Sequence, residues 1–597
     1  MSGPAPGYAH SVSSSAVARV VFALLVAATA AAFFVTQKLK TSDPVVKRLA
    51  LQRFFSPNGD GRKERAGISF QLPKGDRVTV DVVDGGGDRV RRLASDRRLP
   101  AGTHRLRWNG RDDAGRVPRD GTYYVRVTLR EQGRAVTGPR GIVLTTAGPS
   151  PRLLSATPGR IASGRRVPVT VRFTGPAVVR PVFRVWRTDG DRVRQVASFT
   201  VKRGEHAGVW DGRVRGRPAP EGTYAFSVTV QNRALIEGTT PGRLPPRRDD
   251  ARPRTGVRIA GPEAILPIEA VPAGAVARIP VVAASGPMAW RLSRVGSKRV
   301  LHRGTSRGRT VELRVPRRVP AGEYVVRIAA GSRPLRVPLT VRKATPAKVL
   351  VIVPAITWQG RNPIDDDLDG FADTLDVSPS VPLTRPLAGG ALPAGFSRQV
   401  EPLLAFLQRR RLRYDIDTDI GLARAGGAPD LGARTGVLLA GDERWLPREV
   451  GRALRAYVER GGTVVSLGTD SLRREVRLGR RDLSSPTGPR DETIFGEDPT
   501  TFEDLLAPLV ETRDELGLFS GTDGVIGLFT RFEQSAPADG APLLTSAGRD
   551  PDRPAFAAYR VGRGLFVRTG TPQWSRALRS RPEVAGVMQR LWDRLER

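Results

Sequence analysis

Three rhythms of apolar and polar positions run along this chain. The first is a single block, residues 16–35 (AVARVVFALLVAATAAAFFV), in which Val20 to Val35 carries no charge. Sixteen residues make about 24 Å of helix, slightly short of a hydrocarbon core of about 30 Å. The block therefore sits between a signal-peptide core and a single spanning helix, and Ala28-Thr29-Ala30 offers a small-residue cleavage site. The second rhythm, from Val45 to about Lys343, alternates short β-branched runs with turn residues, as in 78–83 (VTVDVV), 104–108 (HRLRW) and 122–127 (TYYVRV). Such spacing predicts β-sandwiches. The third begins at Lys348, where 349–353 (VLVIV) reads as a parallel strand buried on both faces.

Beyond that strand the pattern alternates. Residues 400–412 and 447–460 predict amphipathic helices, 436–440 and 463–467 buried strands, 556–569 a hairpin broken at Gly562-Arg-Gly564, and 583–596 a closing helix. Alternating strands and helices predict a doubly wound parallel sheet with any site at the carboxyl ends of its strands. The expected fold class is multidomain: an N-terminal membrane segment, two to three Ig-like β-sandwiches and a C-terminal α/β doubly wound domain. Expected boundaries are a tail at 1–15, the helix at 16–36, modules at 45–147, 150–237 and 256–343, a Pro- and Arg-rich linker at 240–254, and the α/β domain at 345–597.

Composition narrows the chemistry. The chain has 597 residues and a formal charge of +38, almost all of it from arginine, since nine of its 97 basic residues are lysine. Paired arginines are spread along the whole length, with no basic helix interleaved with aromatics, so no specific nucleic-acid partner is expected. Anionic envelope polymers and the membrane, through the N-terminal helix, are the partners this charge and that helix suit. Arg19 precedes the apolar block whereas Lys38, Lys40, Lys47 and Arg48 follow it, the reverse of the usual inside bias. The absence of cysteine removes disulfides, thiolate metal sites and a Cys nucleophile together.

The sandwich region repeats itself. Phe55-Ser-Pro-Asn-Gly-Asp-Gly61, Trp108-Asn-Gly-Arg111 and Gly121-Thr-Tyr123 occur in the first module. Trp210-Asp-Gly-Arg213 and Gly222-Thr-Tyr224 follow in the second, and Pro320-Ala-Gly-Glu-Tyr324 closes a weaker third copy. The first module resembles the Ig-like module of the flagellar hook-capping, FlgD-type family over about 100 residues. The aromatic residues of the repeat are packing groups to which no chemistry is assigned. Ser56, Asn58, Asp60 and Glu64 place oxygen donors at alternate positions around glycines. That is either the first half of a calcium loop or an Asx-type turn.

Further on, Thr357-Trp-Gln-Gly-Arg-Asn362, Ala440-Gly-Asp-Glu-Arg-Trp445, Arg460-Gly-Gly-Thr-Val-Val-Ser-Leu-Gly-Thr-Asp470 and Val561-Gly-Arg-Gly564 are similar to motifs of the C-terminal domain of the N,N-dimethylformamidase large (beta) subunit family. The resemblance spans 345–597 and implies a class I glutamine amidotransferase-like fold with an iron held by tyrosines and a glutamate. Here Arg361 and Trp445 stand where tyrosines are expected and Asp442 replaces a histidine, so iron is not expected. The histidines are 10, 104, 206 and 302, none of them in this domain, which excludes amidotransferase Cys-His chemistry and a Ser-His-Asp triad there. Carboxylate-based hydrolysis by Asp442 and Glu443, with Gln359 nearby, is the remaining catalytic option. An acidic pair at a helix N-terminus is the simpler reading.

The sharpest chemical signal is 365–376 (DDDLDGFADTLD). Asp365, Asp367, Asp369, Asp373 and Asp376 occupy positions 1, 3, 5, 9 and 12 of an EF-hand-type loop, Gly370 the sixth, and Phe371 offers its carbonyl at the seventh. A Ca2+ ion is the expected cofactor. The function expected is a non-catalytic binding or structural protein at the cell membrane, with most of the chain outside. A divergent amide- or glycan-directed hydrolase at the cell surface is the alternative.

Overall fold

The computed structural model describes residues 14–40, 45–284, 286–331, 333–343, 345–425, 431–536 and 540–597. Most of the expected tail at 1–15 lies outside them. The chain divides into two compact units. One holds residues up to 150 with 176–179 and 230–238; the other holds 151–175, 180–229 and 239–597.

The first unit opens with helix α1 (Ser14–Lys40). Its 18-residue window Ala18–Val35 has mean hydropathy 2.2 and none of it is buried, so by length and composition the helix can cross a membrane. The module that follows pairs a three-stranded sheet (47–51, 66–72, 102–108) with a larger one built on 76–83 and 121–129. Alternate residues of each strand face inward, Ile68, Phe70, Val78, Val80, Val125 and Val127 among them. Trp108 is fully buried and its indole N–H donates to the Arg111 carbonyl at 2.9 Å. Its ring lies 5.2 Å from Tyr123, whose hydroxyl donates to the Arg119 carbonyl at 2.5 Å.

The second unit repeats this construction twice. Trp210 donates to the Arg213 carbonyl at 3.0 Å, and Tyr224 to the Pro220 carbonyl at 2.7 Å. In the third copy Tyr324 donates to the Pro320 carbonyl at 2.7 Å. Each tyrosine ties the start of its strand to the turn four residues back, a local reason why Gly-x-Tyr recurs. One expected boundary moves. Strand Val257–Ala260 pairs antiparallel with Gly222–Gln231 and parallel with Arg160–Ala162, so the second module closes at 260. Residues 240–254 connect strands within that module and do not separate it from the third.

The C-terminal region is organised around a nine-stranded sheet. Its strands are β1 (Val349–Val353), β2 (Tyr414–Thr418), β3 (Gly436–Leu439), β4 (Thr463–Ser466), β5 (Ala507–Asp514), β6 (Val525–Phe529), β7 (Leu543–Ala547), β8 (Phe556–Val561) and β9 (Gly564–Arg568). The order is β2-β1-β3-β4-β9-β8-β7-β5-β6. The first five in that order are parallel and the rest antiparallel. Helices α2 (Ala355–Gly360), α3 (Glu401–Arg409), α4 (Asp419–Arg424), α5 (Arg448–Glu459), α6 (Trp574–Ala577) and α7 (Pro582–Leu595) complete it. β1 shows why its run is unbroken. Val349, Val351 and Val353 share a core with Leu403 and Leu407 of α3 and Leu591 of α7. Leu350 and Ile352 face the opposite core with Leu422 of α4 and Leu454 of α5.

Candidate functional site

The strand order reverses between β1 and β3, and the loops leaving their carboxyl ends form the crevice where open α/β sheets hold ligands. The loop after β3 carries Gly441-Asp-Glu-Arg-Trp445 and the loop after β1 enters α2. The two neighbouring acids face different partners. Asp442 accepts hydrogen bonds from the Thr469 amide and the Gln399 side chain, both at 2.9 Å, and its other oxygen lies 3.8 Å from Arg361. Glu443 is fully buried, and among the described residues no donor reaches either of its oxygens.

The neighbour of Glu443 is Asp419, an acid to which sequence patterning assigned no role. Asp419 begins α4 directly after β2 and accepts the Ile356 amide at 3.0 and 3.1 Å and the Ile420 amide at 2.8 Å. Burial raises the affinity of both acids for a proton, and for Glu443 the charge of Asp419 adds to it. Glu443, which lacks the amide donors that Asp419 has, is the member of the pair that burial and the neighbouring charge push furthest toward the protonated form. Gln359 is also fully buried. Its Oε1 accepts from Asn362 at 3.3 Å, while its Nε2 has no partner. Asp442, Glu443 and Gln359 are thus each engaged by a different set of groups. The signal that points to Asp419 is its place: an acid one residue past a buried strand, at the functional edge.

The mouth of the crevice is an ion network. Arg444 donates Nε to Asp376 at 3.0 Å, pairs also with Asp470, and stacks its guanidinium 5.1 Å from the Trp445 ring centroid. Arg474 reaches Asp470 at 2.5 Å, and Arg361 lies 3.9 Å from Asp376. Trp445 is in the core against Gly360, where an added Cβ would stand 2.9 Å from the indole. A guanidinium and a buried indole are not iron ligands, and the donor set does not fit that metal.

The acidic loop lies beside this crevice, between α2 and α3, and is held by the second Ig-like module. Asp365, Asp367 and Asp373 bring carboxylate oxygens within 4.8 Å of one another. The group is narrower than the spacing implies. Asp369 gives an oxygen to the Phe371 amide at 2.7 Å, and Asp376 is drawn away by Arg444. Asp365 accepts the Asp369 and Gly370 amides at 3.1 and 3.0 Å, which closes the turn. Burial, with the charge of Asp369 next, pushes its carboxyl up to about 7; burial alone leads for Asp369, at about 6.

Two arginines balance part of this charge. Arg385, nearly inaccessible, donates to Asp366 at 2.5 Å and to the Asp373 carbonyl at 2.9 Å. Arg248, from the stretch expected to be a linker, pairs with Asp373. The Arg254 and Gly256 amides donate to the carbonyls of Asp367 and Leu368 at 2.9 and 2.7 Å, and Thr188 donates to the Gly370 carbonyl. Gly256 and Gly370 meet backbone to backbone: a Cβ on Gly256 would lie 2.1 Å from the Gly370 nitrogen. Gly370 itself has φ +95°, so glycine is needed on both sides of this seam.

The loop of the first module behaves differently. Asn58 Oδ1 accepts the Asp60 amide at 3.2 Å, Asp60 the Arg62 amide at 2.7 Å, and Glu64 the Gly61 amide at 3.1 Å. Ser56 is buried and its hydroxyl has no partner. The Arg62 amide, the largest influence, holds the Asp60 carboxyl below its ordinary range.

Two family models match the regions that carry the motifs. Among solved structures, the N-terminal four Ig domains of Dscam1 isoform 8.4 align at 14% identity over 51% of this chain and 74% of that one, with a TM-score of 0.14. Titin domains A168–A170 align at 14% identity over 50% and 100%, also at 0.14. Fibronectin(III)-like modules of Clostridium thermocellum CbhA align at 14% over 32% and 88%, at 0.17. A tRNA(Ile)-lysidine synthase of Geobacter sulfurreducens is 46% identical over 83 residues, which is 13% of this chain and 17% of that protein's length. The chain thus spans about a sixth of that relative. One family model begins inside the third module and stops ahead of β5. Residues 57–133 are similar to the FlgD Ig-like domain, and residues 308–496 to the N,N-dimethylformamidase beta subunit-like C-terminal domain.

Proposed function

We propose that this chain is an exported, membrane-tethered binding protein whose glutamine amidotransferase-like C-terminal domain holds a ligand without turning it over. Helix α1 and the Ig-like modules suit an extracellular chain anchored at its N-terminus. The β2-β1-β3-β4 order, with helices on both faces, supports the amidotransferase-like reading.

The observation that carries the non-catalytic reading is the crevice itself. Where a ligand-activating centre belongs, Arg361, Arg444 and Arg474 are paired with Asp376, Asp442 and Asp470. The chain has no cysteine to act as nucleophile and the domain has no histidine to act as base. In the same reading the loop of Asp365, Asp367 and Asp373 takes Ca2+, with Asp369 and the Phe371 carbonyl at its rim. The ion relieves the repulsion that two arginines leave among Asp365, Asp366, Asp369 and Asp373, all buried or half-buried, and the exposed Asp367, and stiffens the seam with the second module.

The test is one preparation of the full chain in detergent micelles, assayed with and without Ca2+ for limited proteolysis near 361–385 and for turnover of amide and glycoside substrates. Protection by Ca2+ and no turnover is the expected result. The hydrolase alternative has one feature in its favour, the buried acidic pair Asp419 and Glu443. Turnover that disappears in Glu443→Gln would establish it and sink the binding reading.

A further inference from the structure

Beside the crevice, with which it shares Arg474, α5 faces the segment 472–494 across a groove of about 250 Å³. Arg448, Arg452 and Arg455 stand on one face of the helix at i, i+4 and i+7, and Arg473, Arg474 and Arg490 line the opposite wall. One acid, Glu475, lines the groove with them. Most of these guanidiniums are engaged. Arg455 pairs with Glu459, Arg474 with Asp470 and Arg490 with Glu475, while Arg473 donates to the carbonyls of Arg490 and Pro499.

Arg448 and Arg452 differ. Both are exposed, and among the described residues neither has a hydrogen-bond or ion-pair partner. They extend from the first turns of α5, where the helix dipole also favours an anion. The floor between the walls is apolar, with Leu446, Leu472 and Ile494. Such a groove suits a ligand whose carbon skeleton lies on the floor while acidic groups meet the walls. Guanidinium forks bind phosphate oxygens in pairs, and a row of three about 5–6 Å apart matches repeated anionic groups better than a single one.

We propose that this groove binds a phosphate-bearing polyol or sugar chain, with Arg448 and Arg452 as its principal contacts. The inference rests on the binding reading above, to which it adds a place and a ligand class. Its test is calorimetric titration of the full chain in detergent with poly(glycerol phosphate), glycerol 3-phosphate and polygalacturonate. Three proteins are compared: wild type, Arg448→Ala/Arg452→Ala, and Arg105→Ala/Arg107→Ala. The last pair is exposed on the first module and, among the described residues, has no side-chain hydrogen-bond or ion-pair partner, and it removes the same charge.

The expected result is that the α5 double variant weakens polymer binding about tenfold or more while the first-module variant changes it less than about twofold. Equal weakening in both variants would mean that net charge alone attracts the polymer, and the site is overturned. Polygalacturonate binding as tightly as the phosphate polymer overturns the choice of phosphate. Glycerol 3-phosphate binding as tightly as the polymer overturns the chain as ligand. Recovery of shortened polymer would leave the groove standing and overturn only the non-catalytic reading.

Discussion

Two loops of this protein are spelled alike and behave oppositely. Residues 56–64 and 365–376 both place acids or amides at alternate positions before a glycine. In the first loop Asn58, Asp60 and Glu64 each give an oxygen to a nearby amide at the surface, and Asp60 ionises more readily than a free aspartate. In the second, Asp365, Asp369 and Asp373 are buried beside the second Ig-like module, and burial pushes the Asp365 carboxyl up to about 7. The alternating sentence is the same. Burial decides whether it makes a self-satisfied turn or a crowded acidic cluster.

The most severe way to break this comparison is to remove the more deeply buried of the two arginines that the second loop already has. Arg385→Ala removes the hydrogen-bonded cation of half-buried Asp366 and frees the carbonyls of Gln359 and Asp373. A destabilisation of about 3–5 kcal/mol is expected, read as an early thermal transition of the C-terminal unit. Arg62→Ala, which removes an exposed pair with Glu237 in the other loop, is expected to cost less than about 1 kcal/mol. Comparable losses would mean that burial is not the deciding variable.

Glu323 isolates burial from crowding. It lies fully buried in the third module, takes one hydrogen bond from Thr340 and has no partner for its second oxygen. Burial pushes its carboxyl from 4.5 up to about 8. The unfolded chain gives up this proton above about 4.5 while the folded chain keeps it, so the stability it contributes is lost as pH rises toward 8. Between pH 5.5 and 7.5 the loss is up to about 2.7 kcal/mol, at about 1.4 kcal/mol per unit. Glu323→Gln is expected to flatten that slope in thermal melts taken with a chelator present. An unchanged slope would place the titration elsewhere.

How far the sequence reveals these features follows from the range of the interactions. The Ig-like repeats are legible because their anchoring bonds are local: Trp108 to Arg111, Tyr224 to Pro220 and Tyr324 to Pro320 span three or four residues. β1 and the hairpin of β8 and β9 are legible as apolar runs and a Gly-Arg-Gly turn. The seam around the acidic loop is not. Arg248 and Thr188 reach Asp373 and Gly370 from 125 and 182 residues away, and no local pattern announces them. Strand Val257–Ala260 was hidden in the same way, because it follows a Pro- and Arg-rich stretch and pairs far back in the chain. The loop spacing marked six ligand positions; a single arginine, Arg444, removed Asp376 from the group.

Calcium sharpens the contrast at a smaller scale. At a free concentration tenfold above its dissociation constant, an ion bound only to the folded loop adds about 1.4 kcal/mol. That increment is expected in the melting of the full chain and is expected to vanish in Asp365→Asn. Asp60→Asn in the first loop is expected to leave it intact. Loss of the increment in Asp60→Asn, with retention in Asp365→Asn, would assign the ion to the wrong loop here.

The smallest expected effect tests the claim that the first loop is complete without an ion. Asn58→Ala deletes the acceptor of the Asp60 amide and the donor to the Asp60 carboxylate. Both bonds are exposed, so water replaces them, and the global cost is expected to stay below about 1 kcal/mol. Locally the consequence is larger, since the amide of Asp60 loses its protein acceptor and should exchange faster with solvent. Hydrogen exchange at that amide, with and without Ca2+, separates the two possibilities. Faster exchange that Ca2+ does not slow fits a turn held by its own side chains. Protection restored by Ca2+ would mean that this loop, too, is a metal site, and that exposure does not exclude one.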